Sequence, residues 1–180
     1  MPCMRENCER RSVMGGFHVR KEIVVNAPME TVFRLAGDLT QHVKLAGSGE
    51  VKAIRKLTDG PVKVGTKFEA DEDIPMGPGM RSKFVSQSEV VSYEPPRLFS
   101  WTSMPPSAPK PKRIQWWFRL SGEGKGTRVT HEVIVDLGTI SNILLGPPYA
   151  LTRGRAVSRG MQQTLENLKS LAENEAKRPA

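Results

Sequence analysis

The sequence predicts an α+β domain in which an antiparallel sheet with one apolar face wraps around a long C-terminal helix. Three observations predict it. The chain from Glu50 to Asp136 breaks into about six segments of alternating polarity, separated by Gly, Pro and Asp turns. A further strand followed by a helix start precedes them, at "FHVRKEIVVNAPMETVF". After Leu151 the apolar spacing changes from two to that of a helix. A chain of 180 residues is one domain's worth and can bury a sizeable core without staples.

In order, "FHVRKEIVV" is a strand from Phe17 to Val25 whose inward set is Val19, Lys21, Ile23 and Val25. In "NAPMETVF", Asn26 is an N-cap, Pro28 suits a first turn and Glu30 favours the helix's positive end. Val32, Phe33, Leu35 and Ala36 give that helix an apolar side, Gly37 ends it, and a second short helical piece covers Leu39–Leu45. "EVKAIRKL" is a strand leading into the turn at Asp59-Gly60. Beyond it, Val64, Thr66, Phe68 and Ala70 share one face, with Lys67, Glu69 and Asp71 on the wet one. "RSKFVSQSEVVSY" and "RLFSWTS" form two more strands around "EPP", with Phe99 and Trp101 inward. A proline-rich loop, Met104–Lys112, leads to "RIQWWFRL", where Ile114, Trp116, Phe118 and Leu120 share one face and Gln115, Trp117 and Arg119 the other. In "TRVTHEVIVD", His131 keeps company with Val129, Val133 and Val135, which places it on the face towards the helix. The stretch "LGPPYALTRGR", which carries Tyr149, precedes the last helix at the natural entrance to the domain, as a lid that Gly and Pro let move or as a stiff connector. Val157, Met161, Leu165, Leu168 and Ala172, with Thr164 and Leu171 beside them, form the stripe of a helix of about five turns.

Composition narrows the function. The net charge is +8, of which the first sixteen residues supply +1 through three arginines against two glutamates. The remaining basic residues are dispersed and lack interleaved exposed aromatics, so nucleic-acid binding is not indicated. No apolar run spans a bilayer and the N-terminus lacks the apolar middle of a signal peptide, so the expectation is a cytoplasmic protein without integral membrane segments. Cys3 and Cys8 are too few and wrongly spaced for a structural zinc site. Residues 1–16 are taken as a flexible tail, 17–176 as the domain and 177–180 as a second tail. Asp71, Glu72 and Asp73 are consecutive on a strand and point alternately apart, which argues against a metal, and no cofactor is indicated.

Five phrases in this order resemble the SRPBCC superfamily: "IVVNAPMETVF", "LTDGPVKVGTKFE", "VVSYEPPRLFSW", "GTRVTHEVIVD" and "GMQQTLENLKSLAE". START lipid-transfer domains, birch-pollen-type allergens and the polyketide cyclase/dehydrase proteins share this helix-grip fold. The resemblance runs from Phe17 to Ala176 and includes bacterial single-domain proteins. It implies a curved seven-stranded sheet gripping the C-terminal helix, two short helices after the first strand, and a mostly apolar cavity between sheet and helix. Members bind lipids, sterols, quinones, polyketides or hormones, and some cyclise aromatic polyketides. Many relatives carry a tryptophan after the second short helix, where this chain reads "LAGSGEVKA".

A ligand pocket built this way draws on Lys21, Phe68, Trp101, Trp116, Phe118, His131, Val133, Tyr149, Met161 and Leu165. Lys21 is placed to meet an anionic ligand, or to pack its stem and send its head to water. His131 is expected to shape or bind rather than to catalyse, since no partner that would orient it stands out in the sequence. Three functions follow. The first is binding or carriage of a small hydrophobic molecule. The second is a metal-free cyclase or dehydratase in which His131 and a nearby carboxyl or tyrosine, such as Tyr149, handle protons. The third is a protein-interaction module, resembling activators of a heat-shock ATPase, that acts through a convex face around Trp117. Homodimer formation is compatible with each.

Overall fold

The computed structural model of the chain describes residues 17–77, 79–104, 113–136 and 139–177, without the side chains of 76–77 and 139–150. The expected N-terminal tail, the loop residues 105–112, the side chain of Tyr149 and residues 178–180 lie outside the described residues. Seven strands form one antiparallel sheet: β1 Phe17–Val25, β2 Val51–Lys56, β3 Lys67–Gly77, β4 Met80–Glu94, β5 Leu98–Met104, β6 Arg113–Glu123 and β7 Gly126–Asp136. Their order is β1-β7-β6-β5-β4-β3-β2. Helix α1 covers Met29–Gly37, a single 3-10 turn covers Leu39–Gln41, α2 covers His42–Leu45, and α3 covers Thr139–Ala176. This is the helix-grip arrangement: sheet, two short helices after β1, and a long helix across the concave face.

Period-two alternation sets which side chains meet that helix. On β1 and β7 the register pairs Ile23 with Val129, Lys21 with His131 and Val19 with Val133, so the three pairs share the concave face. Trp101 stands opposite Trp116, and Phe118 opposite His131. Leu165, Leu168 and Ala172 of α3 are fully buried against Val25, Val32, Phe99 and Val129. Burying each leucine contributes roughly 2–3 kcal/mol, which is why this half of the helix is fixed on the sheet.

Three local expectations change. Asn26 does not cap α1: the helix begins at Met29, Pro28 is extended at ψ 145°, and its carbonyl accepts from Val32 N at 3.1 Å. The Asn26 N–H instead donates to Glu173 Oε1 at 2.8 Å, so α3 rather than a local cap satisfies the entry. Val64 lies outside β3 in the connecting turn and is 59% exposed, because Gly65 at φ +84° redirects the chain before Thr66. The third change is larger. "LGPPYALTRGR" is not a connector: α3 is continuous through it and is 38 residues long, about 57 Å.

The convex face is latticed with charge. Glu132 meets His18 at 2.6 Å and Arg119 at 3.5 Å, Arg128 meets Glu123 and Glu22, and Arg55 meets Asp71 and Glu69. Arg55, Arg119 and Arg128 are thus spent on neighbouring carboxylates, each exposed pair worth little by itself.

Candidate ligand cavity

A cavity of about 160 Å³ lies between the concave face, α2 with the loop after it, and the stretch of α3 from Arg153 to Thr164. Its existence follows from small residues. Gly47 and Gly160 let the loop after α2 touch α3: a Cβ on Gly47 would lie 2.4–2.5 Å from Gln163 Cβ, Gly160 O and Thr164 N. The Gly47 N–H donates to Thr164 Oγ1 at 2.9 Å. That contact closes one wall, at the "LAGSGEVKA" segment, with backbone and small side chains.

Strands β5–β7 supply an aromatic side. Trp101 and Trp116 are nearly parallel at 9° with centroids 6.1 Å apart, and Phe118 stacks on His131 at 4.1 Å and 9°. Trp101 also lies 5.3 Å from His42, which arrives from α2. Each imidazole is held by one backbone carbonyl. His131 Nδ1–H donates to Trp117 O at 2.9 Å, and His42 Nε2–H donates to Ala36 O at 2.7 Å. The opposite ring nitrogens make no hydrogen bond among the described residues, and both side chains line the cavity. Burial pushes His131 down to about 4, against the pull of its carbonyl partner, and His42 is also held below the ordinary histidine value by burial. Both rings are neutral at physiological pH and present bare lone pairs.

Strands β3 and β4 supply a polar side. Glu72 faces inward while its neighbours point out, Asp71 to Arg55 at 2.7 Å and Asp73 to Arg81 at 2.7 Å. Ser86 Oγ–H donates to Glu72 at 2.5 Å, and Ser88 and Ser103 bond each other at 3.0 Å. Burial raises the Glu72 carboxyl above its usual range; the Ser86 hydrogen bond opposes this, as does Arg153, while Glu50 adds to it. Arg153 of α3 grips Glu50 with two bonds, at 2.6 and 2.7 Å. Among the described residues no three His, Cys, Asp or Glu side chains converge as a metal would require.

Of the residues expected in the pocket, Phe68, Trp101, Trp116, Phe118, His131 and Met161 line the cavity. Lys21 does not: it sits opposite His131 in β1 but is absent from the wall. Val133 and Leu165 are buried in packed clusters beside the cavity rather than in its lining. The sequence reading missed His42, Glu50, Glu72, Arg153 and the serines. Alternation alone carried a signal for Glu72, which continues the inward series Phe68, Ala70. The outward Trp117 is half-buried, with the Arg119 guanidinium 5.7 Å from its ring centre, and is not among the exposed large apolar side chains of the described residues.

Residues 16–173 match the family described as polyketide cyclase / dehydrase and lipid transport. Comparison with curated protein sequences gives no match. Solved structures share the fold at low identity. Protein TTHA0849 of Thermus thermophilus is 20% identical with a TM-score of 0.60, over 90% of this chain and 100% of that one. The di-domain aromatase/cyclase StfQ of the steffimycin biosynthetic pathway superposes with a TM-score of 0.71 at 12% identity, over 91% of this chain but 53% of StfQ. Ara h 8.0201 gives 0.63 at 10% identity, over 89% and 99%.

Proposed function

Because the chain belongs to the polyketide cyclase / dehydrase and lipid transport family, we propose that it binds a small, ring-bearing hydrophobic molecule in the cavity between sheet and α3. The observation that carries this is the aromatic side built by Trp101, Trp116, Phe118 and His131 around open space. Planar rings stack well on such walls, each pair adding about 0.5–1.5 kcal/mol beyond area burial. The volume supports a modest occupant, since a cavity of about 150 Å³ in another protein takes up benzene. Long lipid chains need more room than this.

Calorimetric titration with indole, a small neutral ring, tests the reading. One molecule binds per chain, and Ala70→Phe, which fills the cavity from β3, weakens binding by at least about tenfold. A folded Ala70→Phe variant that binds as well as the native chain places the site elsewhere. Native mass spectrometry of protein purified without added ligand then gives the mass of any occupant it retains.

One observation favours a second reading, a cyclase or dehydratase: His131 lines the cavity, and its Nε2 makes no hydrogen bond among the described residues. A base whose conjugate acid ionises near 4 is a weak proton acceptor at neutral pH, so binding ranks above acid–base catalysis. Full turnover by His131→Phe on a substrate found for the protein removes the catalytic role.

A further inference from the structure

The aromatic side of the cavity holds one polar group in a fixed orientation. His131 is 4% exposed and lines the cavity. Its Nδ1–H is committed to Trp117 O at 2.9 Å, which sets the tautomer and leaves Nε2 as a lone-pair acceptor. Nε2 makes no hydrogen bond among the described residues. Among those residues the only fully enclosed side-chain polar atom without a partner is Ser100 Oγ, so His131 Nε2 touches open space. The ring is not free to turn, because turning breaks the carbonyl bond and the parallel contact with Phe118 at 4.1 Å and 9°. The neighbouring rings suit a partner lying in the imidazole plane, where the Nε2 lone pair points. Trp116 lies 5.7 Å from His131 at 26°, and Trp101 lies 6.4 Å from it at 24°. A flat molecule in that plane therefore runs nearly parallel to both indole faces. The registers put these groups within reach of one small ring: Trp101 stands opposite Trp116, and His131 opposite Phe118, two residues along β6.

We propose that the cavity selects a flat, neutral ring carrying an N–H or O–H donor, which His131 Nε2 accepts while Trp101 and Trp116 hold the ring. This rests on the cavity being a binding site and adds what the occupant must present. An anionic group set against Nε2 meets a lone pair and is repelled. A ring with no donor covers Nε2 and leaves it without a partner, which costs free energy in a site this deeply buried. Two other groups compete for the role. The indole N–H groups of Trp101 and Trp116 also make no hydrogen bond among the described residues, and they favour an acceptor on the ligand. His131 is buried more deeply than either, and it is the only one of the three rings oriented by a hydrogen bond. His42, held by Ala36 O, faces Trp101 from α2, but it is only half-buried, so water competes for its other nitrogen.

Three bicyclic rings of one outline separate the possibilities in calorimetric titration at neutral pH: indole, which donates, benzofuran, which carries an acceptor, and benzothiophene, which offers little of either. Because the rings differ in hydrophobicity, the readout is indole's affinity relative to the other two, compared between the native chain and His131→Phe. That ratio is expected to fall roughly three- to tenfold in the variant, the worth of one neutral hydrogen bond. On the native chain, the nitrogen NMR resonance of His131 Nε2 is expected to move upfield with indole and not with benzothiophene. A ratio unchanged by His131→Phe, or binding of the other rings without indole, overturns the proposal and leaves the cavity reading standing. Binding of none of the three removes both. If His131→Phe does not fold, the Nε2 resonance decides, and one that indole does not move overturns the proposal.

Discussion

His131 gives the most quantitative prediction. In the unfolded chain its imidazole ionises near 6.5, and in the fold burial holds it down to about 4. Below 6.5 the unfolded state takes up a proton that the native state refuses, so stability falls as pH falls, and the loss is complete near pH 4. At about 1.36 kcal/mol per pH unit, the full gap is worth about 3 kcal/mol, of which about 2 kcal/mol is lost by pH 5. The perturbation is His131→Phe, which keeps an aromatic ring against Phe118 and loses the bond to the Trp117 carbonyl. That lost bond is a nearly constant offset of about 1 kcal/mol. His42, also held down by burial, has the same sign, and Glu72, held up, has the opposite one. Both persist in the variant and largely cancel in the comparison. Urea unfolding of the two proteins from pH 7.5 to 4.5 is the assay. The native profile should steepen below pH 6.5 relative to the variant, the difference between them shifting by about 2 kcal/mol by pH 5, so that an advantage of about 1 kcal/mol at neutral pH reverses sign. Parallel profiles would mean that His131 charges freely in the fold, and the burial argument would be wrong.

Gly47→Ala places a methyl against Gly160 O and Thr164 N of α3, neither of which moves without the helix. It should cost about 2–3 kcal/mol in urea unfolding, and an unchanged midpoint would show that the loop after α2 does not rest on α3 as described. Arg153→Met strands the Glu50 carboxylate in a site where both side chains are mostly buried, at 17% and 13% exposure, and should cost about 3 kcal/mol. Adding Glu50→Gln should recover a large part of that, because the loss is mainly the unpaired charge. A double variant as unstable as the sum of the single ones refutes the pairing.

The strands and their faces were legible because one wet face and one dry face impose period two, and the inward positions of Phe68, Phe99, Trp101, Phe118 and His131 all follow it. Where the chain turns by steric necessity the reading weakened. A proline pair reads as a breaker, yet α3 continues through Gly146, Pro147 and Pro148. The polar side was less legible for a different reason. Glu72 sits in the inward series, but a carboxylate on a dry face is stable there only with partners from elsewhere: Ser86 across the ladder, and the Glu50–Arg153 pair joining the loop before β2 to α3. Such partners are distant in sequence, so no local spacing announces them. His42 shows the same limit, since its role depends on α2 folding back beneath Trp101.

Helix α3 explains how one element serves both stability and an open cavity. Its Leu165, Leu168 and Ala172 are completely buried and pack in one cluster with Val25 of β1 and Val129 of β7. Towards the N-terminal side of these, Val157, Gly160, Met161 and Thr164 line the cavity, and Gly160 and Thr164 are spent on closing it against Gly47 and Ser48. A leucine at either position would intrude on the loop or fill the space. The two tasks are thus separated along the helix axis. Substitutions at Leu165 or Leu168 act through cavity creation in the core and should change unfolding free energy whatever the ligand. Substitutions at Arg153, Val157 or Met161 alter the wall that an occupant meets. A protein whose only requirement was stability would close this gap with larger side chains, and the sheet offers the positions at Ala70, Ser86 and Ser88 to do so. That these are small or polar, around a buried carboxylate and two imidazoles that line the space, is the physical reason to read it as a binding site rather than a packing defect.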